Sequence, residues 1–304
     1  MQKRSIDWLT YAMLGLVIVF WAGNAIIGRA VRDDIDPVLL ALLRWIAATV
    51  IIAPFAWRGL AADLPALKAG WKPVLALCLT GIVGFNTLLY IGLHGTTATN
   101  ALLMQATIPG LVLLIGAVAF AQREPGWKIF GILLSVFGAA FTIFRGSHEA
   151  VLALRLTGSD LIVLAACVSW ASYTALLRLV PDVRPASFVF VTFAGGALVL
   201  AAIALVFPGH HVSWNVGSIL GVAYIGIFPS VIAYFLFNAA VARAGPAIAG
   251  QAVALMPIVG ALLAALLLGE ALHWYHAVGI VIVIAGVVIA GWADVISPSN
   301  TAKQ

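Results

Sequence analysis

The sequence predicts an all-α polytopic membrane protein: ten transmembrane helices arranged as a 5+5 inverted repeat. Three observations carry that prediction. The composition is too apolar for a water-exposed surface, the apolar residues fall in ten runs, and the same residues recur in order halfway along the chain. Of 304 residues, 63% are hydrophobic and 9% charged, against roughly 45–50% and 25% in soluble domains. Sixteen Lys and Arg and eleven Asp and Glu cannot cover a soluble globule of this size. That excludes an ordinary cytosolic enzyme and a disordered chain. The net charge of +5 is scattered rather than clustered, which excludes a nucleic-acid binder.

The ten apolar runs are Trp8–Gly28, Pro37–Trp57, Pro73–Leu93, Ala98–Ala121, Ile129–Phe144, Leu161–Leu177, Ala186–Phe207, Val216–Ala242, Ala247–Leu268 and Ala277–Ala293. A hydrocarbon core of about 30 Å takes about 20 residues per helix, so ten crossings use most of the chain. The runs are continuous rather than alternating, which excludes a β-barrel. Lys3 and Arg4 before the first run resemble a signal-peptide start. The run is long for that role and has a counterpart in the second half, so it is read as a spanning helix. With the N-terminus inside, eleven Lys and Arg fall on the cytoplasmic side. Four (Arg29, Arg32, Arg145 and Arg155) fall outside, and Arg44 falls in no loop. The positive-inside rule then places both termini in the cytoplasm. Cys78 and Cys167 lie inside apolar runs without a CxxC or Cys/His pattern and are read as packing residues, with no metal site.

The internal repeat is the most informative feature. Trp21 matches Trp170 at 149 positions; Pro37 matches Pro185, Pro109 matches Pro257, Gly131 matches Gly279 and Gly138 matches Gly286, all at 148. Each half holds five runs, and an odd number makes the second half enter the membrane from the opposite side. The expected organisation is a first five-helix repeat over residues 8–144, an external linker over 145–159, a second repeat over 160–293 and a cytoplasmic tail over 294–304. Inverted halves suit a carrier that opens alternately to either side, with its solute near mid-membrane.

Pro109 and Pro257 lie midway along the fourth and ninth runs and are read as hinges; each removes a donor, freeing the carbonyls of Gln105 and Val253. Pro229 does the same in the eighth run. Small residues in the fifth and tenth runs (Gly131, Ser135, Gly138, Gly279, Gly286) permit close backbone packing. Nine of the ten runs contain no Asp, Glu, Lys or Arg. Glu124 and Glu270 follow the fourth and ninth runs, where each is expected to orient the next helix through its positive N-terminal end. Arg44 is the exception, seven residues into the second run and about 10 Å deep. It is the candidate anion contact, able to receive an α-carboxylate; the competing structural role is snorkelling or bonding to backbone carbonyls. The other polar residues in the runs are neutral, among them Asn24, Asn86, Thr87, Gln105, Ser169, Tyr173, Tyr234 and Gln251. Aromatic residues sit among them: Trp21, Phe85, Tyr90 and Trp170. A ring-lined site with amide and hydroxyl partners suits a neutral or zwitterionic apolar solute, with Tyr90 and Trp170 the foremost candidates. No GxxxxGK[ST], HExxH or GxSxG motif occurs, so no catalytic residue is assigned. The histidines lie at or beyond run ends.

The two five-helix halves, their opening-helix tryptophans, the matched prolines and the runs LLLGEALHWYHAVGIVIVIAGVVIAG and FAQREPGWKIFGILLSVFGAAF resemble the drug/metabolite transporter superfamily, EamA type. The most specific part is Leu268–Gly269–Glu270 followed by Gly279 and Gly286; the first-half copy has Gln122–Arg123–Glu124 instead. The resemblance implies ten helices with both termini cytoplasmic and a cavity lined by helices 1, 3, 4, 6, 8 and 9. On this chain that points to Trp21, Phe85, Tyr90, Met104, Gln105, Trp170, Tyr173, Tyr234 and Gln251 as substrate-binding residues. It also implies export of amino acids, aromatic ones leading, from a bacterial inner membrane. Without membrane-embedded carboxylates, uniport is expected, with a proton or ion gradient acting through neutral groups as the alternative; the expected partners are the solute and the bilayer, with no cofactor, no nucleic acid and no ATPase partner. A carrier of sugar phosphates or nucleotide sugars is the alternative within the superfamily. A membrane-embedded enzyme and a non-transporting scaffold are the alternatives outside it.

Overall fold

The computed structural model describes residues 8–121, 125–144, 146–147, 157–207, 209–244 and 256–296. Among these the chain is helical apart from loops and one isolated antiparallel bridge between Ile35 and Val212. The helices are α1 Trp8–Ala30, α2 Pro37–Ala69, α3 Trp71–Gly92, α4 Ala98–Phe120, α5 Gly126–Ile143, α6 Gly158–Leu179, α7 Pro185–Val206, α8 over 216–244, α9 Met256–Leu268 and α10 Trp274–Ile296. Seven of them (α1 to α4 and α6 to α8) are long and apolar enough to cross a bilayer, and the other three are shorter apolar helices. Trp8, Trp57, Trp71, Trp127, Trp214 and Trp274 are exposed, as an interfacial belt requires.

The ends of these helices follow from local chemistry. Asp36 caps α2 by accepting from the Val38 N–H at 2.9 Å, and Pro37 occupies the first helical position, where its missing donor costs nothing. Thr157 and Asp160 form a capping box at the start of α6, as do Asn215 and Ser218 at α8. One boundary differs from the sequence reading. The second apolar run ends at Trp57, yet α2 continues to Ala69 through Pro54 and Pro65. Residues 58–69 are rich in Ala and Leu, strong helix formers, and the helix stops at Gly70. At 33 residues α2 is about 50 Å long, so its last turns extend past the hydrocarbon.

Two compact units can be distinguished, and each draws helices from both halves of the sequence. Unit 1 comprises Met1–Gly23, Ala98–Leu156 and Ala233–Gln304; unit 2 comprises Asn24–Thr97 and Thr157–Ile232. Within unit 1, α5 packs on α10, its own counterpart. A Cβ on Gly131 meets the backbone of Gly286 and Ala290, and one on Gly138 meets Gly279 and Val283. Rising numbers on α5 therefore face falling numbers on α10, and the crossing is antiparallel. The contact is reciprocal: the partner of Gly131 is the equivalent of Gly138, and the converse. At the crossing Ser135 Oγ donates to the Val283 carbonyl at 3.2 Å, and those two residues are themselves 148 apart. Such self-matching is the signature of a two-fold axis.

Unit 2 repeats the arrangement with α2 and α7. The rings of Trp45 and Phe193, again 148 apart, meet at 4.6 Å. Further along α2, Gly59 lies against Arg184 at the start of α7, and Asp63 accepts from the Arg184 N–H at 3.3 Å. Equivalent helices that cross antiparallel belong to halves inserted in opposite senses, which is the inverted repeat.

Replacing Gly286 by Val should put side-chain atoms onto the Gly131 carbonyl and Ser135 and cost about 1–3 kcal/mol. Gly15→Ala, where nothing lies within 4 Å, should cause no loss of stability, since a mid-helix Ala is favoured over Gly. Thermal unfolding of the purified protein in detergent checks both.

Candidate functional site

The charge that the sequence isolates lies in a polar centre inside unit 2. Arg44 is 6% exposed. Its Nη1 donates to Asn24 Oδ1 at 2.7 Å, Asn86 Oδ1 at 2.7 Å and the Tyr90 hydroxyl at 2.9 Å; Tyr90 in turn donates to Asn24 Oδ1 at 2.8 Å. The guanidinium carbon stands 4.6 Å from the ring of Trp45, whose indole N–H donates to the Ile82 carbonyl at 2.9 Å. Three helices build this centre: α1 supplies Asn24, α2 supplies Arg44 and Trp45, and α3 supplies Asn86 and Tyr90. Arg44 therefore neither snorkels nor bonds to backbone carbonyls. An Arg at the membrane centre costs roughly 2.5–3.5 kcal/mol on insertion scales, and here neutral oxygens and one ring face offset it. Arg44 Nε is buried without a partner. Trp45 is absent from the sequence reading; the signal was its 148-residue offset from Phe193, which places it at a helix crossing.

A run of rings lies in the same unit. Phe85 and Trp170 meet at 4.8 Å, and Trp170 and Tyr173 at 5.1 Å. They come from α3 and α6, which approach closely because Gly81 and Gly84 admit Tyr173 and Ser169 against the α3 backbone. Phe85 and Trp170 are half-buried and Tyr173 is buried. The other sequence candidates lie elsewhere. Tyr90 is 1% exposed and serves the Arg44 centre. In unit 1, Trp21 rests on Phe237 at 5.3 Å, Met104 is buried, Tyr234 is half-buried, and Gln105 Nε2 donates back to the Ala101 carbonyl at 3.3 Å. Gln251, Glu124 and the Val253 carbonyl lie outside the described residues.

The helices that carry these groups are interrupted. In α4, residues Gln105–Thr107 form a 3-10 turn before Pro109. The sequence reading left the Gln105 carbonyl free; in the structure it accepts from the Ile108 N–H, because the tighter turn supplies an i+3 donor where Pro109 cannot supply the i+4 one. Pro109 is exposed and Pro257 buried. In α3 and α8, segments Cys78–Gly84 and Phe228–Ile232 are π-helical. Their last residues, Gly84 and Ile232, are 148 apart, so both halves widen at the same place. In α8 the cause is Pro229, and Ser230 Oγ caps the orphaned Ile225 carbonyl at 2.8 Å. In α3 the Thr80 carbonyl accepts from the Phe85 N–H and from Ser169 Oγ at 2.7 Å. Such π segments cluster at functional sites.

Glu270 also departs from expectation. Its carboxylate accepts from the N–H groups of Ala98 and Thr99 at 2.9 and 3.1 Å and from Thr99 Oγ1 at 2.7 Å. It thus caps the start of α4, far away in sequence, rather than orienting the following α10. The interaction is the expected one, a carboxylate on a positive helix end; folding chooses the helix.

A family model described as the EamA-like transporter family matches the chain twice, over residues 8–144 and 157–292. The uncharacterized transporter YyaM of Bacillus subtilis is 29% identical over 234 residues, 76% of each chain. An uncharacterized transporter of Archaeoglobus fulgidus is 28% identical over 91% of this chain and 96% of its own. A WAT1-related protein of Arabidopsis thaliana is 28% identical over 86% of this chain and 78% of its own. One crystal structure superposes with a TM-score of 0.64 at 20% identity, covering 92% of this chain and 96% of that one, a likeness of fold.

Glu270→Ala removes three hydrogen bonds from the start of α4 and should cost about 1–2 kcal/mol. Glu270→Gln, whose amide oxygen still accepts, should lose less. Thermal unfolding in detergent orders the two variants.

Proposed function

We propose that this chain, which belongs to the EamA-like transporter family, exports amino acids, aromatic and other apolar ones foremost, across a bacterial inner membrane. The two inverted halves exchange conformations, so that one binding site faces each side in turn. The matched π segments in α3 and α8 and the prolines of α4 and α9 are the places where the helices bend. Both termini face the cytoplasm, as the distribution of Lys and Arg supports.

One observation carries the solute class: the ring series Phe85, Trp170 and Tyr173, contributed by one helix of each half and not fully covered. Offset and tilted rings at about 5 Å are the arrangement into which another aromatic ring stacks. The chemistry around it is neutral. Among the described residues the one buried carboxylate is Asp160, which is engaged in the α6 cap and by Thr96 Oγ1 at 2.8 Å. Among the described residues no other buried carboxylate is on hand to couple a proton, and uniport is the reading that fits.

Counterflow into proteoliposomes of labelled Phe, Trp, Leu, Thr and a sugar phosphate tests this. Phe and Trp should accumulate, and a protonophore should leave the rate unchanged. Trp170→Ala should cut flux about tenfold, the equivalent of about 1.4 kcal/mol, at unchanged membrane abundance. Robust sugar-phosphate exchange without amino-acid flux would reject the reading.

A further inference from the structure

We propose that Arg44 is the anchor of a binding site for a monovalent carboxylate. Three observations lead there. First, the guanidinium is permanently charged and buried, yet all three of its hydrogen bonds leave from Nη1 and all end on neutral oxygens. Among the described residues of unit 2 no Asp or Glu pairs with it: Asp33, Asp34, Asp36, Asp160 and Asp182 stand at helix ends or in loops, and Asp63 lies in the last turns of α2, where it accepts from the Arg184 N–H. Second, Nε is buried without an acceptor, so the edge of the guanidinium that suits side-on, two-oxygen recognition of a carboxylate is the unused one. Third, the charge occurs in only one half. The position equivalent to Arg44 is Thr192, on the helix that crosses α2, and its hydroxyl bonds back to the Phe188 carbonyl at 3.0 Å. A helix crossing that needed a cation for packing would need it twice.

The chemistry singles out a small anion with one charge and two acceptor oxygens. A phosphate ester would leave charge uncompensated beside a single cation. The carboxylate belongs either to the transported solute or to a small free anion. The first source rests on the amino-acid reading above; the site itself does not.

Unfolding temperatures of the purified protein in detergent test the proposal. Formate and acetate are titrated against formamide and acetamide, their neutral counterparts, with ionic strength held by sodium sulfate. The carboxylates should raise the midpoint saturably and the amides should not. Arg44→Gln should abolish the response. Because Arg44→Gln also removes the hub of a buried network, Asn86→Asp provides the second arm. It places a resident carboxylate on Nη1, and should raise the basal midpoint while weakening the formate response at least tenfold. Equal shifts with amides and carboxylates, or a full formate response in a well-folded Asn86→Asp protein, overturn the proposal. Phenylalanine and phenylalaninamide separate the sources. A shift with the acid alone that competes with formate assigns the carboxylate to the solute; an additive formate shift assigns it to a free anion. A formate response without any amino-acid flux keeps the site and removes the transport reading.

Discussion

Within hydrocarbon, helices gain nothing from burying apolar surface against one another. Their association depends on close backbone approach and on polar groups withdrawn from lipid. This protein meets that constraint by crossing helices with their own counterparts. At the α5–α10 crossing, glycines let each backbone touch the other, and Ser135 Oγ reaches the Val283 carbonyl at 3.2 Å. At the α2–α7 crossing, rings replace glycines and Trp45 rests on Phe193. Both contacts join residues 148 apart. A contact between equivalent positions has to complement itself, so one sequence pattern serves both faces, and the antiparallel sense follows because the halves are inserted oppositely.

Regular helix is given up only where a substitute for the lost hydrogen bond is at hand. Pro229 deprives the Ile225 carbonyl of its donor, and Ser230 replaces it. Pro109 does the same to Gln105, and a tighter turn replaces it. The π segments of α3 and α8 fall at equivalent positions although only α8 has a proline there. The widening therefore belongs to the shared architecture of the halves rather than to one residue. A helix loosened at one place, with its carbonyls still satisfied, can bend without exposing backbone to lipid.

Against this near-symmetry the polar centre stands out. Asn24, Arg44, Asn86 and Tyr90 form a network in one half that the other does not repeat at the position of its charge. The fold tolerates Thr192 there, so the cost of a buried guanidinium is not imposed by the crossing. Positions where two related halves disagree are where function departs from scaffold.

The sequence alone determined the number of apolar runs, the 148-residue offset, the prolines and glycines that recur at it, and the isolation of Arg44 in an otherwise uncharged interior. These are properties of composition and spacing, which survive without contacts. Only the tertiary structure decided which helices meet. It sent Glu270 to α4 instead of α10, surrounded Arg44 with two amides and a phenol, gathered Phe85 with Trp170 while Trp21 found Phe237, and gave Trp45 its place. The physical reason is that helices apolar on nearly every side carry little directional pattern. Which face a spanning helix turns inward is set by its neighbours, and those neighbours are distant in sequence.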